Sequence, residues 1–388
     1  MADQKITELT EDTSPSLDDL LVTVDGPGGT PSTKKISLET LSILLSKDSM
    51  ARQGLINSNF DVWQRGTSFS LASDTIVYSA DHWIDYAFVD GGTNPTLTRS
   101  RQILTSNDIP GAFYYSRLAV SGAGSSFGTN SQHAFRQYIE HGTRFLCGAG
   151  KKVTISFWAR SDIANKKLGV YMYQSYGTGG SPSTGENVVG DAWTLTSTWT
   201  KYTFTFTTNT LVGKTFGTNN DDHLRFLIGY RWGATSATSY GEVSAETYVG
   251  AGNIDIAQVQ VCAGDVALPY QPKTFEEELR ACQRYYEKSF NYATTPAQNT
   301  ASDQAQEDVT PMTAWTNRVY FKVRKKATTP TIVIFNPAAA NANVRDLTAG
   351  ADITPTIANN TETGFLIYGT AAGADRRLAF NWTAESEI

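Results

Sequence analysis

Cysteine is scarce in this 388-residue sequence, where Cys147, Cys262 and Cys282 are the only three. An odd number scattered so widely builds neither a disulfide framework nor a zinc site, so free, buried thiols and synthesis in a reducing cytoplasm are expected. Charge is low as well: 18% of residues are Asp, Glu, Lys or Arg, too few for a disordered chain or a long coiled coil. The formal balance of −6 leaves no general basic field for a phosphate backbone, and nucleic acid is not an expected partner. No stretch reaches the about 18 apolar residues of a spanning helix, and the opening MADQKITELTEDTSPSLDDL has no basic n-region or apolar h-region. Neither membrane insertion nor a Sec signal is therefore expected.

Catalytic signatures are missing too. There are four histidines, and no Gly-x-Ser-x-Gly elbow, His-Glu-x-x-His pair or Gly-Lys-Ser/Thr loop. Gly177-Thr178-Gly179-Gly180 has no following helix to hold phosphate. Glu140-His141 and Asp221-Asp222-His223 contain the residue types of acid/base or cation chemistry but lack motif spacing, and they read as solvated turns. No catalytic residue, metal or cofactor is assigned. A carboxylate pair sufficient for a glycosidase needs no local motif, so a polysaccharide depolymerase remains an alternative.

What is abundant is Gly (32) and aromatic residues (18 Phe, 18 Tyr, 8 Trp), with Ser and Thr, the composition of short strands joined by polar turns. KKVTISFWAR (151–160) alternates Val153, Ile155 and Phe157 with polar neighbours, and TKYTFTFTTNT (200–210) does the same with Tyr202, Phe204 and Phe206. HLRFLIGYRWG (223–233) sends Leu224, Phe226, Ile228, Tyr230 and Trp232 one way and Arg225, Leu227, Gly229 and Arg231 the other. In LGVYMYQSYG (168–177), Leu168, Val170 and Met172 oppose Tyr171 and Tyr173. Period two over some 200 residues predicts a mainly β protein, an antiparallel jelly-roll β-sandwich over 51–272.

Residues 1–50 read as a small N-terminal module: an apolar run at Leu20–Val24, a turn at Asp25-Gly26-Pro27-Gly28-Gly29, and a helix capped by Ser37 with Leu38, Leu41, Leu44 and Leu45 on one face. Too small for a core of its own, it should dock on its own chain, on a partner or on copies of itself. Residues 273–290 read as a linking amphipathic helix of about four turns, with Thr274 and Glu277 as a capping box and Phe275, Leu279, Cys282 and Tyr286 as its apolar stripe. Within 291–388, a polar loop at 292–309 precedes strand patterns at 314–323, 330–337, 363–370 and 377–388, a small C-terminal β domain.

GLINSNFDVWQRGTSF (54–69), with Ala80-Asp81-His82-Trp83, closely resembles the opening of a family of tailed-bacteriophage fibre proteins whose sandwich is similar to carbohydrate-binding modules. IAQVQVCAGDVALPYQPKTFEEELRACQRYYEKSF (256–290) resembles that family's closing strand and Cys-Gln-Arg-Tyr-Tyr helix, and FNWTAESEI resembles its C-terminal ending. One departure is Val261-Cys262-Ala263-Gly264, where relatives often carry an acidic residue. The resemblance implies a virion protein made in the host cytoplasm, commonly a homotrimer, attached to a tail or baseplate protein through residues 1–50 and binding a host surface glycan. An architectural virion protein without glycan binding is the other alternative. Read on their own chemistry, Trp63, the Asp81-His82-Trp83 step, Arg280, Arg284, Tyr285 and Tyr286 are packing residues.

Sugars offer apolar CH faces and hydroxyls, so aromatic rings beside guanidinium groups on a rigid sheet suit them. Tyr171, Tyr173, Arg225 and Arg231, on the face opposite the predicted core, are the candidate ligand residues. Trp193, Tyr240 and Tyr248, read as loop aromatics, complete the set.

Overall fold

The computed structural model describes residues 15–25, 30–46, 49–301, 305–310 and 312–387. The opening residues 1–14 and most of the Gly/Pro turn lie outside them. A hairpin of β1 (Leu20–Asp25) and β2 (Ser32–Ser37) leads into α1 (Leu38–Leu45). The sequence does not announce β2, because Thr33-Lys34-Lys35 has no apolar alternation. Ser37 caps α1 as expected, its side chain accepting from the Thr40 N–H. The expected Leu44 does pack against the Cys262–Leu268 cluster, but the most buried docking residue is Ile43, and Leu45 stays exposed. The Cys262 thiol faces the carbonyls of Thr154 and Val266. No helix among the described residues is long and apolar enough to cross a membrane.

The sandwich is built from β3 (Ser68–Ser70), β4 (Ile76–Tyr78), β5 (Ile84–Phe88), β6 (Leu97–Ile103), β7 (Tyr114–Ser121), β8 (Gln132–Glu140), α2 (Gly142–Leu146), β9 (Lys152–Ser161), β10 (Lys167–Ser175), β11 (Glu186–Thr194), β12 (Thr200–Thr207), β13 (His223–Trp232), α3 (Ala234–Ala237) and β14 (Ala251–Ala263). Two six-stranded antiparallel sheets, ordered β11-β10-β13-β8-β5-β4 and β12-β9-β14-β7-β6-β3, enclose one core. The fold is thus the expected antiparallel jelly roll, and the alternating sets from β9, β10, β12 and β13 meet inside it. Trp63 and Trp83 join that core, Trp63 donating to the Phe60 carbonyl and Trp83 to that of Asn57.

One polar cluster is buried among these hydrophobes. Arg99 donates from Nη2 and Nε to Asp85 and from Nη1 to the Tyr230 hydroxyl, with its guanidinium 4.1 Å from the Phe135 ring. His133 lies beside it, Nδ1 on the Tyr248 hydroxyl and Nε2 3.4 Å from Asp85 Oδ1. Desolvation pushes the His133 imidazole down from 6.5 to about 4, with Asp85 pulling the other way. Between those values the unfolded chain binds a proton that the folded chain refuses. Neutral His133 therefore favours the fold fully above pH 6.5, and this is lost as pH falls towards 4, a change of about 3 kcal/mol. Asp61, pushed up to about 6 by burial, runs in the opposite sense over 3.8 to 6. The check is consequently a difference: urea titrations at stepped pH should show His133→Gln losing less stability than wild type between pH 6.5 and 4, by roughly that amount.

Beyond the sandwich, α4 (Phe275–Gln283) has the expected capping box between Thr274 and Glu277. It is shorter than its apolar pattern suggests: nine residues, after which Tyr286 enters a strand. Phe275 is exposed, and the buried face carries Glu278, Cys282 and Gln283. The C-terminal unit comprises β15 (Tyr286–Lys288), β16 (Gln306–Thr310), β17 (Ala314–Tyr320), β18 (Thr331–Phe335), β19 (Val344–Asp346), β20 (Ala351–Ile353), β21 (Thr356–Thr361), β22 (Gly364–Thr370) and β23 (Arg376–Glu385). Strand β23 organises it, pairing with β15, β16, β18 and β19, and a β17-β22-β21 sheet packs on the shared core of Trp315, Phe365 and Trp382. Strand β16 falls inside the stretch read as loop, and β19–β21 were not distinguished, because short polar strands lack a periodic signal.

Candidate functional site

Strands β10, β13, β8 and β5 turn their second face away from the core, and that face is the site's scaffold. Tyr138, Arg225 and Tyr173 stand opposite one another in register across β8, β13 and β10. Arg136, two residues before Tyr138, pairs with Ile84 on β5, and Tyr86 lies two residues along. The five half-buried side chains form a band of alternating rings and guanidinium groups. Arg136 is 5.2 Å from the Tyr86 ring and 5.8 Å from that of Tyr138, and Arg225 is 5.9 Å from Tyr138 and 4.5 Å from Tyr173. These cation–π contacts hold the planar groups upright and give the band a fixed shape. Among the described residues neither arginine has an ion-pair partner, and the Nε–H of each finds no acceptor. The band thus presents aromatic faces beside unspent hydrogen-bond donors and two positive charges.

Of the residues singled out from sequence, Tyr173 and Arg225 lie in this band. Tyr171 is on the same face but buried, its ring edge-on to Tyr240 at 4.9 Å. Tyr240 is itself wholly buried rather than an accessible loop aromatic. The reason lies in two glycines: Gly169 and Gly229, opposite each other in the sheet, leave a bare patch, and a Cβ on either would collide with the Tyr240 ring. Tyr240 fills that patch and stacks on Trp232 at 4.4 Å, so α3 and the following turn roof this end of the face.

Arg231 departs from the expected face. A bulge between Gly229 and Arg231 reverses the alternation, turning Trp232 outward and Arg231 into a buried position under Phe127. There its Nη2 donates to the Phe88 carbonyl and Asn94 Oδ1. Trp193 belongs to strand β11, not a loop, and packs on Phe157 and Tyr202 at the core margin. Tyr248 is buried against His133. Tyr86, Arg136 and Tyr138 were missed, although QHAFRQYIE alternates like its neighbours and sets Arg136 and Tyr138 opposite Phe135 and Ile139.

The two clusters weighed as catalytic, distant in sequence, come together. His141 Nδ1 is 3.1 Å from Asp222 Oδ1 and its Nε2 3.7 Å from Glu140. Glu140 accepts from Arg284 Nη2 and Nε and from the Tyr285 hydroxyl, and these donors hold its carboxyl below the usual range against desolvation. Asp222 pairs with Arg144. Glu140 thus ties the end of α4 to the sandwich edge, while Asp222 holds α2 and its His141 cap within the sandwich. The segments 54–69 and Ala80–Trp83 share that junction. Asp81 accepts from the Gln64 backbone and side chain, Tyr285 stacks on His82 at 3.8 Å, and Glu387 bridges Arg65 and His82 at 2.9 and 2.8 Å. Among the described residues no group of three or more His, Cys, Asp or Glu side chains is placed to hold a metal.

No family model matches the sequence, and no curated protein matches it. Similar solved structures include several carbohydrate-binding modules. A CBM4 structure is 16% identical, with 54% of this chain and 98% of that one covered and a TM-score of 0.28. The family 11 module from Clostridium thermocellum, in complex with a β-1,3-1,4-mixed-linked tetrasaccharide, is 12% identical over 51% and 96% of the two chains, TM-score 0.27. The CBM22-2 xylan-binding domain from Paenibacillus barcinonensis is 15% identical over 47% and 92%, TM-score 0.27. With identities and TM-scores this low, the reading of the site rests on its own geometry.

Proposed function

We propose that this chain is a non-enzymatic fibre protein of a phage particle that binds a host surface saccharide on the second face of its sandwich. The observation that carries the binding reading is the Tyr86–Arg136–Tyr138–Arg225–Tyr173 band with its two unpaired guanidinium groups. Sugar CH faces stack on the rings and hydroxyls accept from the arginines, and an acidic sugar gains most because two positive charges face it. The virion role is supported by the motif resemblance at 54–69, 256–290 and 380–388. Attachment and trimer formation through residues 1–50 are supported by β1, whose Leu20, Val22 and Val24 are 55%, 77% and 60% exposed.

The test is retention of the intact protein on arrayed neutral and acidic glycans, with reducing ends assayed in parallel. Arg225→Ala and Arg136→Ala are each expected to weaken retention about tenfold or more while leaving the unfolding midpoint in place. Unchanged retention in both variants would remove the site, and release of reducing ends would favour the depolymerase alternative.

A further inference from the structure

The C-terminal unit has a recess of its own, about 1100 Å³ in volume, between the β17-β22-β21 sheet and the β19-β20 hairpin. Among the described residues, two buried polar atoms of its lining residues make no hydrogen bond: the indole N–H of Trp315 and Oδ2 of Asp346, residues that are 4% and 0% exposed. Each is held in place by its surroundings. Asp346 Oδ1 accepts the backbone N–H groups of Thr348 and Ala349 at 2.9 and 2.8 Å, which fixes the carboxylate and leaves Oδ2 unused. Arg376 Nε is 3.8 Å from Oδ2, too far for a hydrogen bond. Trp315 faces Gly369 across β17 and β22, and a Cβ at Gly369 would lie 3.1 Å from the indole nitrogen, so a larger residue there would crowd that N–H.

A buried donor and a buried acceptor left unpaired each carry a desolvation penalty, which a ligand offering the complementary groups would relieve. The surroundings narrow the chemistry. The recess is amphipathic, with Ile353, Met312 and Tyr368 beside the hydroxyls of Thr310 and Thr356. Its second carboxylate, Asp352, is already occupied by Asn336, Asn341 and Arg345. That leaves one carboxylate oxygen without a hydrogen bond, Asp346 Oδ2 in its ion pair with Arg376, too few for a hard cation that demands six or more oxygens. A purely apolar ligand would leave both orphan atoms unsatisfied. We infer that this recess is a second binding site, separate from the sandwich face, for an uncharged, hydroxyl-rich ligand, a saccharide ring that donates a hydroxyl to Asp346 Oδ2 and accepts from the Trp315 N–H. The chain then engages glycan at two places with independent residues, and weak sites on one chain gain from shared attachment.

The experiment is saturation-transfer NMR and calorimetric titration of the full chain with galactose, glucose, N-acetylglucosamine and cellotetraose. Asp346→Asn keeps the Oδ1 contacts to Thr348 and Ala349 but replaces the free acceptor with a donor. It is expected to weaken binding of the responding sugar about ten- to a hundredfold. Trp315→Phe, which removes only the N–H, should weaken it in the same direction, and Arg136→Ala/Arg225→Ala should leave this component intact. Loss of all binding in the sandwich variant, with Asp346→Asn behaving as wild type, overturns the second site while keeping the sandwich reading. Binding lost in Asp346→Asn but kept in the sandwich variant supports the second site even if the sandwich reading fails. No saturable signal from any of the four sugars overturns the inference.

Discussion

Replacing Arg99 with Met is expected to destabilise the protein by about 3–5 kcal/mol, the range for removing one partner of a buried ion pair. Arg99 is wholly buried and Asp85 1% exposed, and the guanidinium reaches Asp85 Oδ1 at 2.7 Å. It also supplies the Tyr230 hydroxyl with a donor. Desolvation alone would raise the Asp85 carboxyl, but Arg99 and His133 together outweigh it and hold Asp85 below the usual carboxylate range. Without Arg99 the carboxylate is left with Ser79 and His133, and it must either stay charged in the core or take up a proton. Urea unfolding at neutral pH checks the magnitude. A second variant, Arg99→Met/Asp85→Asn, should recover part of the loss because the orphaned charge is gone. A shift below about 1 kcal/mol for Arg99→Met would mean that water reaches the cluster.

Lys325→Met should be comparably costly, about 3–5 kcal/mol, but its effect should be regional. Lys325 Nζ donates to Glu287 Oε2 and the Gln283 carbonyl, both at 2.5 Å, with Lys325 and Glu287 side chains 0% and 1% exposed. Glu287 lies on β15, which follows α4 and pairs with β23, so the ion pair ties that strand to the segment between β17 and β18. Among the described residues, removing the ammonium leaves Glu287 the Lys322 backbone N–H as its one hydrogen-bond donor. Hydrogen exchange should show β17, β22 and β23 losing protection while β9 and β14 in the sandwich keep theirs. Uniform loss across both units would show that they unfold as one, and Lys325→Met/Glu287→Gln should restore part of the protection.

The sandwich was legible because its strands are long and alternate. Eight to ten residues of period two in β9, β10, β12 and β13 place the core face and the second face without reference to any partner strand. The band was half legible for the same reason: Tyr173 and Arg225 follow from alternation, and Arg136 and Tyr138 were there to be read in β8. Arg231 escaped because a bulge of one residue reverses every side chain after it, and no local residue type marks that bulge. Tyr240 escaped because its burial depends on two glycines from other strands, 71 and 11 residues away, that share a bare patch only once the sheet is assembled.

The amino-acid sequence by itself determined the fold class, the alternating core of the sandwich, the Ser37 and Thr274 helix caps and the scarcity of catalytic signatures, since each depends on neighbours along the chain. Only the tertiary structure decided that Glu140, His141 and Asp222 bind one another as a junction, that five rings and guanidinium groups line up across four strands, and that Trp315 and Asp346 face a common recess. Those outcomes depend on strand register and on contacts between residues tens to hundreds of positions apart, and a desolvated polar atom is defined only by what the fold has failed to place beside it.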